Sequence, residues 1–68
     1  MKTKFVIERQ TPEFVYIVGN VATNVEAVLS ELTQHHNLGN RRLFYRDSEG
    51  NSDEILHDNG VFTGFAIG

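Results

Sequence analysis

Cysteine and tryptophan are absent from this 68-residue chain, and proline and methionine occur once each. Without thiols, neither disulfides nor thiolate metal sites can staple the fold, a condition that suits a reducing compartment. A chain this short buries only about 60% of the surface it exposes when unfolded. Its stability must therefore come from good packing or from a partner subunit. No apolar run approaches the roughly 20 residues that cross a bilayer. Phe5-Val6-Ile7, between Lys4 and Glu8-Arg9, is too short an apolar core for a signal peptide. Positive charge is scarce too: 6 Lys and Arg face 9 Asp and Glu, for a net charge of −3. No global field draws the chain to nucleic acid or to acidic membranes, and no dense acidic run imitates a phosphate backbone. These absences predict one cytoplasmic domain over residues 1–68.

What is present alternates between strand and helix patterns. Phe5-Val6-Ile7 and Phe14-Val15-Tyr16-Ile17-Val18 are β-branched and aromatic runs flanking Gln10-Thr11-Pro12-Glu13. Proline's fixed φ suits the first central position of a turn, so these runs predict an antiparallel hairpin. With Arg9 opposite Phe14, strand alternation groups Phe5, Ile7, Phe14, Tyr16 and Val18 on one face. Val6, Val15 and Ile17 then share the other with Lys4 and Glu8.

Thr23-Asn24-Val25-Glu26 has the spacing of a capping box. Val25, Val28, Leu29 and Leu32, continued by His36, recur at helical spacing, and Gly39 is placed to end the helix in the left-handed conformation. Strands resume at Arg42-Leu43-Phe44-Tyr45-Arg46, followed by a turn at Asp47–Asn51 and a short strand at Glu54–His57. Asn59-Gly60 favours a type I′ turn, and Val61–Ile67 closes the chain. The predicted class is α+β, in the order ββαβββ: a hairpin, one helix and a strand meander in a four- or five-stranded sheet. One helix covers one sheet face, whereas the first hairpin is apolar on both. The surplus predicts an interface with another protein or a second copy.

The candidates for chemistry read mostly as structure. His35 and His36 are adjacent, so on a helix they point about 100° apart and do not converge on one ion. Imidazoles are welcome at a helix C-terminus. His57 lies near Asp53, Glu54 and Asp58, but alternation sends His57 and Asp58 to opposite faces, and Asp58 suits the turn before Asn59-Gly60. No nucleophile motif, phosphate-cradling glycine loop or calcium loop occurs, so no catalytic residue, metal or cofactor is expected. A small enzyme would need His57 and a carboxylate within about 3 Å of each other. Arg41, Arg42 and Arg46 interleave with Phe44 and Tyr45, which supplies guanidiniums for phosphate and rings for base stacking. Alternation places Arg42, Phe44 and Arg46 on one face and Leu43 with Tyr45 on the other. Such arginines more often pair with carboxylates across a sheet.

Element order and spacing resemble the β-grasp, or ubiquitin-like, superfold. Asn40-Arg41-Arg42-Leu43-Phe44-Tyr45 is similar to the strand that follows the helix there. The ending Leu56–Gly68 is loosely similar to bacterial sulfur-carrier proteins, in which an acidic-glycine turn precedes the last strand. Those proteins finish in Gly-Gly. Here position 67 is Ile, so the resemblance implies a fold and protein recognition by a sheet face, without carrier activity.

The reading as a whole points to a non-catalytic protein-binding module acting through an exposed sheet face or edge, whose make-up suits an accessory or inhibitor protein of a bacterium or phage. Its expected contact residues are Val6, Val15 and Ile17, then Arg42, Phe44 and Arg46. The alternatives are a single-strand nucleic-acid binder using Arg42, Phe44, Tyr45 and Arg46, and a small oligomeric enzyme.

Overall fold

The computed structural model describes residues 5–67. The order is β1 (Phe5–Gln10), β2 (Phe14–Gly19), a short 3-10 turn (Ala22–Asn24), α1 (Val25–His36), β3 (Arg42–Arg46), β4 (Ser52–Asp58) and β5 (Val61–Phe65). This is the ββαβββ order expected. The five strands lie side by side in chain order, so β1 and β5 form the two edges. The sheet is mixed, with β2 and β3 its one parallel pair.

Local chemistry sets each connection. Between β1 and β2 the Thr11 hydroxyl accepts from the N–H groups of Glu13 and Phe14 at 3.2 and 3.1 Å. Pro12 thus sits in a turn pinned by a side chain. β2 and β3 are parallel, and α1 supplies the crossover that parallel neighbours require. The Asp47 carboxylate organises the β3–β4 turn by accepting from Glu49 and Asn51 N–H, each at 2.9 Å. Asn59 and Gly60 take φ of 53° and 93°, the positive pair of a type I′ turn.

Helix α1 covers one face of the sheet. Val25, Val28, Leu29 and Leu32 of α1, with Val21 and Leu38 beside it, pack on Val15, Ile17, Leu43, Tyr45 and Ile55. Phe5, Ile7, Phe62 and Phe65 close the margins. The helix ends differ from expectation. Thr23 provides no side-chain cap; its hydroxyl donates to the Asn20 carbonyl at 3.2 Å, and the 3-10 turn leads the chain into α1. At the other end Asn37, with φ 51°, is the left-handed capping residue, two positions earlier than Gly39. Asn shares glycine's tolerance of this conformation. Strand β4, expected to be short, runs over seven residues and has partners on both sides.

Two edge irregularities alter which residues face the helix. In β1, Ile7 pairs with Ile17 but Arg9 pairs with Tyr16, so Glu8 is an extra residue, a β-bulge. In β5, Gly64 pairs with Leu56 and Phe62 with His57, so Thr63 is the extra residue. The expected grouping of Phe5 and Ile7 with Phe14, Tyr16 and Val18 is therefore corrected. Phe5 and Ile7 lie on the helix side with Val15 and Ile17, while Phe14, Tyr16 and Val18 lie on the open side. Likewise the bulge turns both Phe62 and Phe65 inward, with ring centroids 5.2 Å apart, where simple alternation separates them. Lys4, expected beside Val6, and Gly68, expected as a strand end, lie outside the described residues.

Candidate functional site: the open sheet face

Because α1 occupies one face, the functional question moves to the other. Phe14 and Tyr16 on β2 alternate with the buried Val15 and Ile17. On the parallel neighbour, Tyr16 is in register with Phe44 and Phe14 with Arg42. The parallel ladder thus sets three rings side by side. Tyr16 and Phe44 stack with centroids 5.0 Å apart. Phe14 meets Tyr16 edge-on at 5.9 Å and Phe44 at 6.2 Å. All three remain partly accessible.

Arginines frame this patch. The Arg42 guanidinium lies 5.2 Å from the Phe44 ring centroid and pairs with Glu54 through two nitrogens, at 2.9 and 3.0 Å. Arg46 reaches across β2 to Glu8 at 2.8 Å. Arg9 lies 5.6 Å from the Phe14 centroid, and among the described residues no carboxylate pairs with it. Bonding to Arg42 holds the Glu54 carboxyl below the usual carboxylate range despite partial burial. The same pair raises the Arg42 guanidinium further above its ordinary value. The Glu54 side chain is only 17% exposed and that of Arg42 67%, so the carboxylate is fixed in the sheet and the guanidinium reaches outward over the rings.

The expected contact residues divide between the faces. Val6, 68% exposed, lies on the open side opposite Val18. Arg42, Phe44 and Arg46 share that side, as alternation predicts. Val15 and Ile17, expected on the outer face, are 2% and 0% exposed. The helix covers the side of β2 on which they lie, which makes them core and unavailable to a partner. Tyr45 is 9% exposed beneath the helix, so it cannot offer its ring with Phe44. Burial, reinforced by Asp53 and Asp47 nearby, pushes its hydroxyl's pKa up. Phe14, Tyr16 and Arg9 complete the patch, although the sequence reading did not group them with Arg42, Phe44 and Arg46. Their signal was the shared parity of Phe14-x-Tyr16 with Arg42-x-Phe44-x-Arg46, which becomes visible once β2 and β3 are known to be neighbours.

The residues suggestive of catalysis have structural partners. His57 Nδ1 accepts from Gly60 N–H at 2.9 Å, so Nε2 carries the proton and donates to the Arg41 carbonyl at 2.7 Å. Its ring ties β4 to the segment before β3. Arg41 is likewise a clamp. Its guanidinium donates to the carbonyls of His36, Asn37 and Leu38 at the end of α1 and to Gln10 and Thr11 of the first hairpin. A cation there also complements the helix dipole. Asp53 accepts from Ile67 N–H at 3.2 Å and secures the C-terminal segment. Among the described residues no three His, Asp or Glu side chains gather as metal ligands, and no helix is long and apolar enough to cross a membrane.

Compared with protein-family models, with curated proteins and with solved structures, the chain has no significant match.

Proposed function

We propose that this domain is a small, non-catalytic protein-binding module acting inside the cell, with the open sheet face as its recognition surface. The observation that carries the reading is the Phe14–Tyr16–Phe44 ring cluster, left uncovered by the helix and framed by Arg9, Arg42 and Arg46. Aromatic residues and arginine are the types enriched in interface centres, and they dominate binding energy where they cluster. Rings already locked against one another lose little conformational freedom when a partner lands on them. Both edge strands carry a bulge, a device that discourages strand addition, so the face is favoured over the edge.

Solution mass by sedimentation equilibrium separates a second copy from a foreign partner. With the partner in hand, Tyr16→Ser and Phe44→Ser should each weaken binding by about 2 kcal/mol, roughly thirtyfold, while circular dichroism stays unchanged. Retained affinity in both variants sinks the reading.

One observation favours a second reading: cations and stacked rings share this face, as they do in single-strand nucleic-acid binders. Against it, Arg42 and Arg46 are already matched by Glu54 and Glu8, and Tyr45 is buried. A short oligothymidylate tested at low salt decides, because such binding is strongest there.

A further inference from the structure

The β1 bulge does more than blunt an edge. With Glu8 as the extra residue, both Glu8 and Arg9 are directed over the open face. Glu8 takes Arg46 at 2.8 Å. Arg9, in register with Tyr16, settles against the Phe14 ring. An uninterrupted strand would send Arg9 to the helix side, as it does Ile7. The bulge therefore delivers one extra guanidinium to the ring patch. Arg42 and Arg46 are each neutralised by a carboxylate, and Arg9 has none among the described residues. Glu13 borders the same ring cleft and Asp58 shares Glu54's side of β4, so the face has no overall surplus of positive charge; what sets Arg9 apart from Arg42 and Arg46 is that its guanidinium is unpaired among the described residues. Elsewhere acidity prevails: α1 carries Glu26 and Glu31 without a lysine or arginine, and the β3–β4 turn carries Asp47 and Glu49.

Resting on the protein-binding reading above, we infer that the open face takes an extended peptide segment bearing one carboxylate beside an aromatic residue. The peptide's ring stacks on Tyr16 and Phe44, and its carboxylate pairs with Arg9. Arginine suits this role because its planar fork binds a carboxylate through two N–H groups while its face rests on a ring. One unpaired guanidinium matches one carboxylate. A polyanion would also meet Glu8, Glu54 and the acidic remainder of the domain.

The probe is a fluorescein-labelled peptide of alternating threonine and tyrosine with one central glutamate, followed by fluorescence anisotropy against the full chain. A twin with glutamine in place of glutamate, and a short oligothymidylate, are run beside it. The glutamate peptide should bind about fivefold more tightly than its twin, and Arg9→Gln should erase that difference. Arg9→Lys should restore part of it, because charge survives without the fork. Equal affinity for the two peptides in the unaltered chain overturns the inference and leaves the open-face reading standing, a comparison that holds even if Arg9→Gln fails to fold. Peptide binding that Phe44→Ser does not change removes the open-face reading itself. Tighter binding of oligothymidylate than of either peptide, or no peptide binding at all, overturns the inference as well.

Discussion

The two faces of the sheet use different residues for different ends. Under the helix the central positions are aliphatic: Val15, Ile17, Leu43 and Ile55 meet Val28, Leu29 and Leu32, all nearly inaccessible. On the open side the central positions are rings, and arginines stand over two of them. Branched aliphatics fill a core at high density but offer nothing to water or to polar groups. Rings with guanidiniums tolerate solvent on one side and still hold their positions by stacking and cation–π contact. One face is built to be closed once, during folding. The other keeps its rings partly open to solvent in the folded chain.

Adjacent residues test this division most directly. Leu43 and Phe44 are neighbours in β3 with opposite directions. Leu43→Ala should cost about 2–5 kcal/mol, as a cavity beneath the helix. Phe44→Ala should cost about 1 kcal/mol, chiefly its ring contacts. Denaturant titration of both variants checks the pair, and equal losses would erase the distinction between the faces. A second substitution strikes the seam between helix and sheet. A β-carbon at Gly60 would collide with the Thr33 hydroxyl of α1, in a backbone conformation with φ of 93°. Gly60→Ala should therefore cost about 1–3 kcal/mol in a thermal melt. A residue free to accept alanine there would mean that the helix does not lie so close.

The smallest effect belongs to the open face, and it is a matter of pH. The Glu54 carboxyl is held below its ordinary range by Arg42. Asp47 is also held low: partial desolvation pulls it up, but hydrogen bonds from Asn51, Glu49 and Gly50 outweigh that. A carboxyl depressed in the folded state contributes stability above its unfolded pKa, near 4. That contribution fades as pH falls through the folded value. Melts on the acid side of about pH 4 should show progressive loss, and Glu54→Gln should flatten part of it. A flat profile would mean that the Arg42–Glu54 pair is not maintained in solution.

Much of the fold was legible from the chain. Pro12, Asn59-Gly60 and the spacing of Val25, Val28, Leu29 and Leu32 place the turns and the helix by local rules. The faces were legible only in part. Parity correctly groups Arg42 with Phe44 and Arg46, since β3 is regular. It fails in β1 and β5, where Glu8 and Thr63 are inserted. Neither residue carries a local sign of a bulge, because a bulge answers to the partner strand and to the twist of the sheet. The grouping of Val6 with Val15 and Ile17, and of Phe5 and Ile7 with Phe14, fails for that reason. Parity also cannot tell which side of the first hairpin the helix will cover. Phe14 and Tyr16 joined Phe44 in one patch only when β2 was found beside β3, a pairing settled by the helical crossover, and Arg9 joined it only through the β1 bulge.

That crossover bears on how the chain reaches its native state. The β1–β2, β3–β4 and β4–β5 pairs each join segments separated by short turns, so each can form early. Only the parallel β2–β3 ladder joins distant segments, Phe14–Val18 with Arg42–Arg46, and its closure entropy must be met before its contacts are gained. The folding barrier should lie at that step, with α1 condensing on β2 and β3 through Leu29, Leu32, Ile17 and Leu43. Substitutions at those positions should slow folding, whereas changes at the Asn59-Gly60 turn should mainly hasten unfolding.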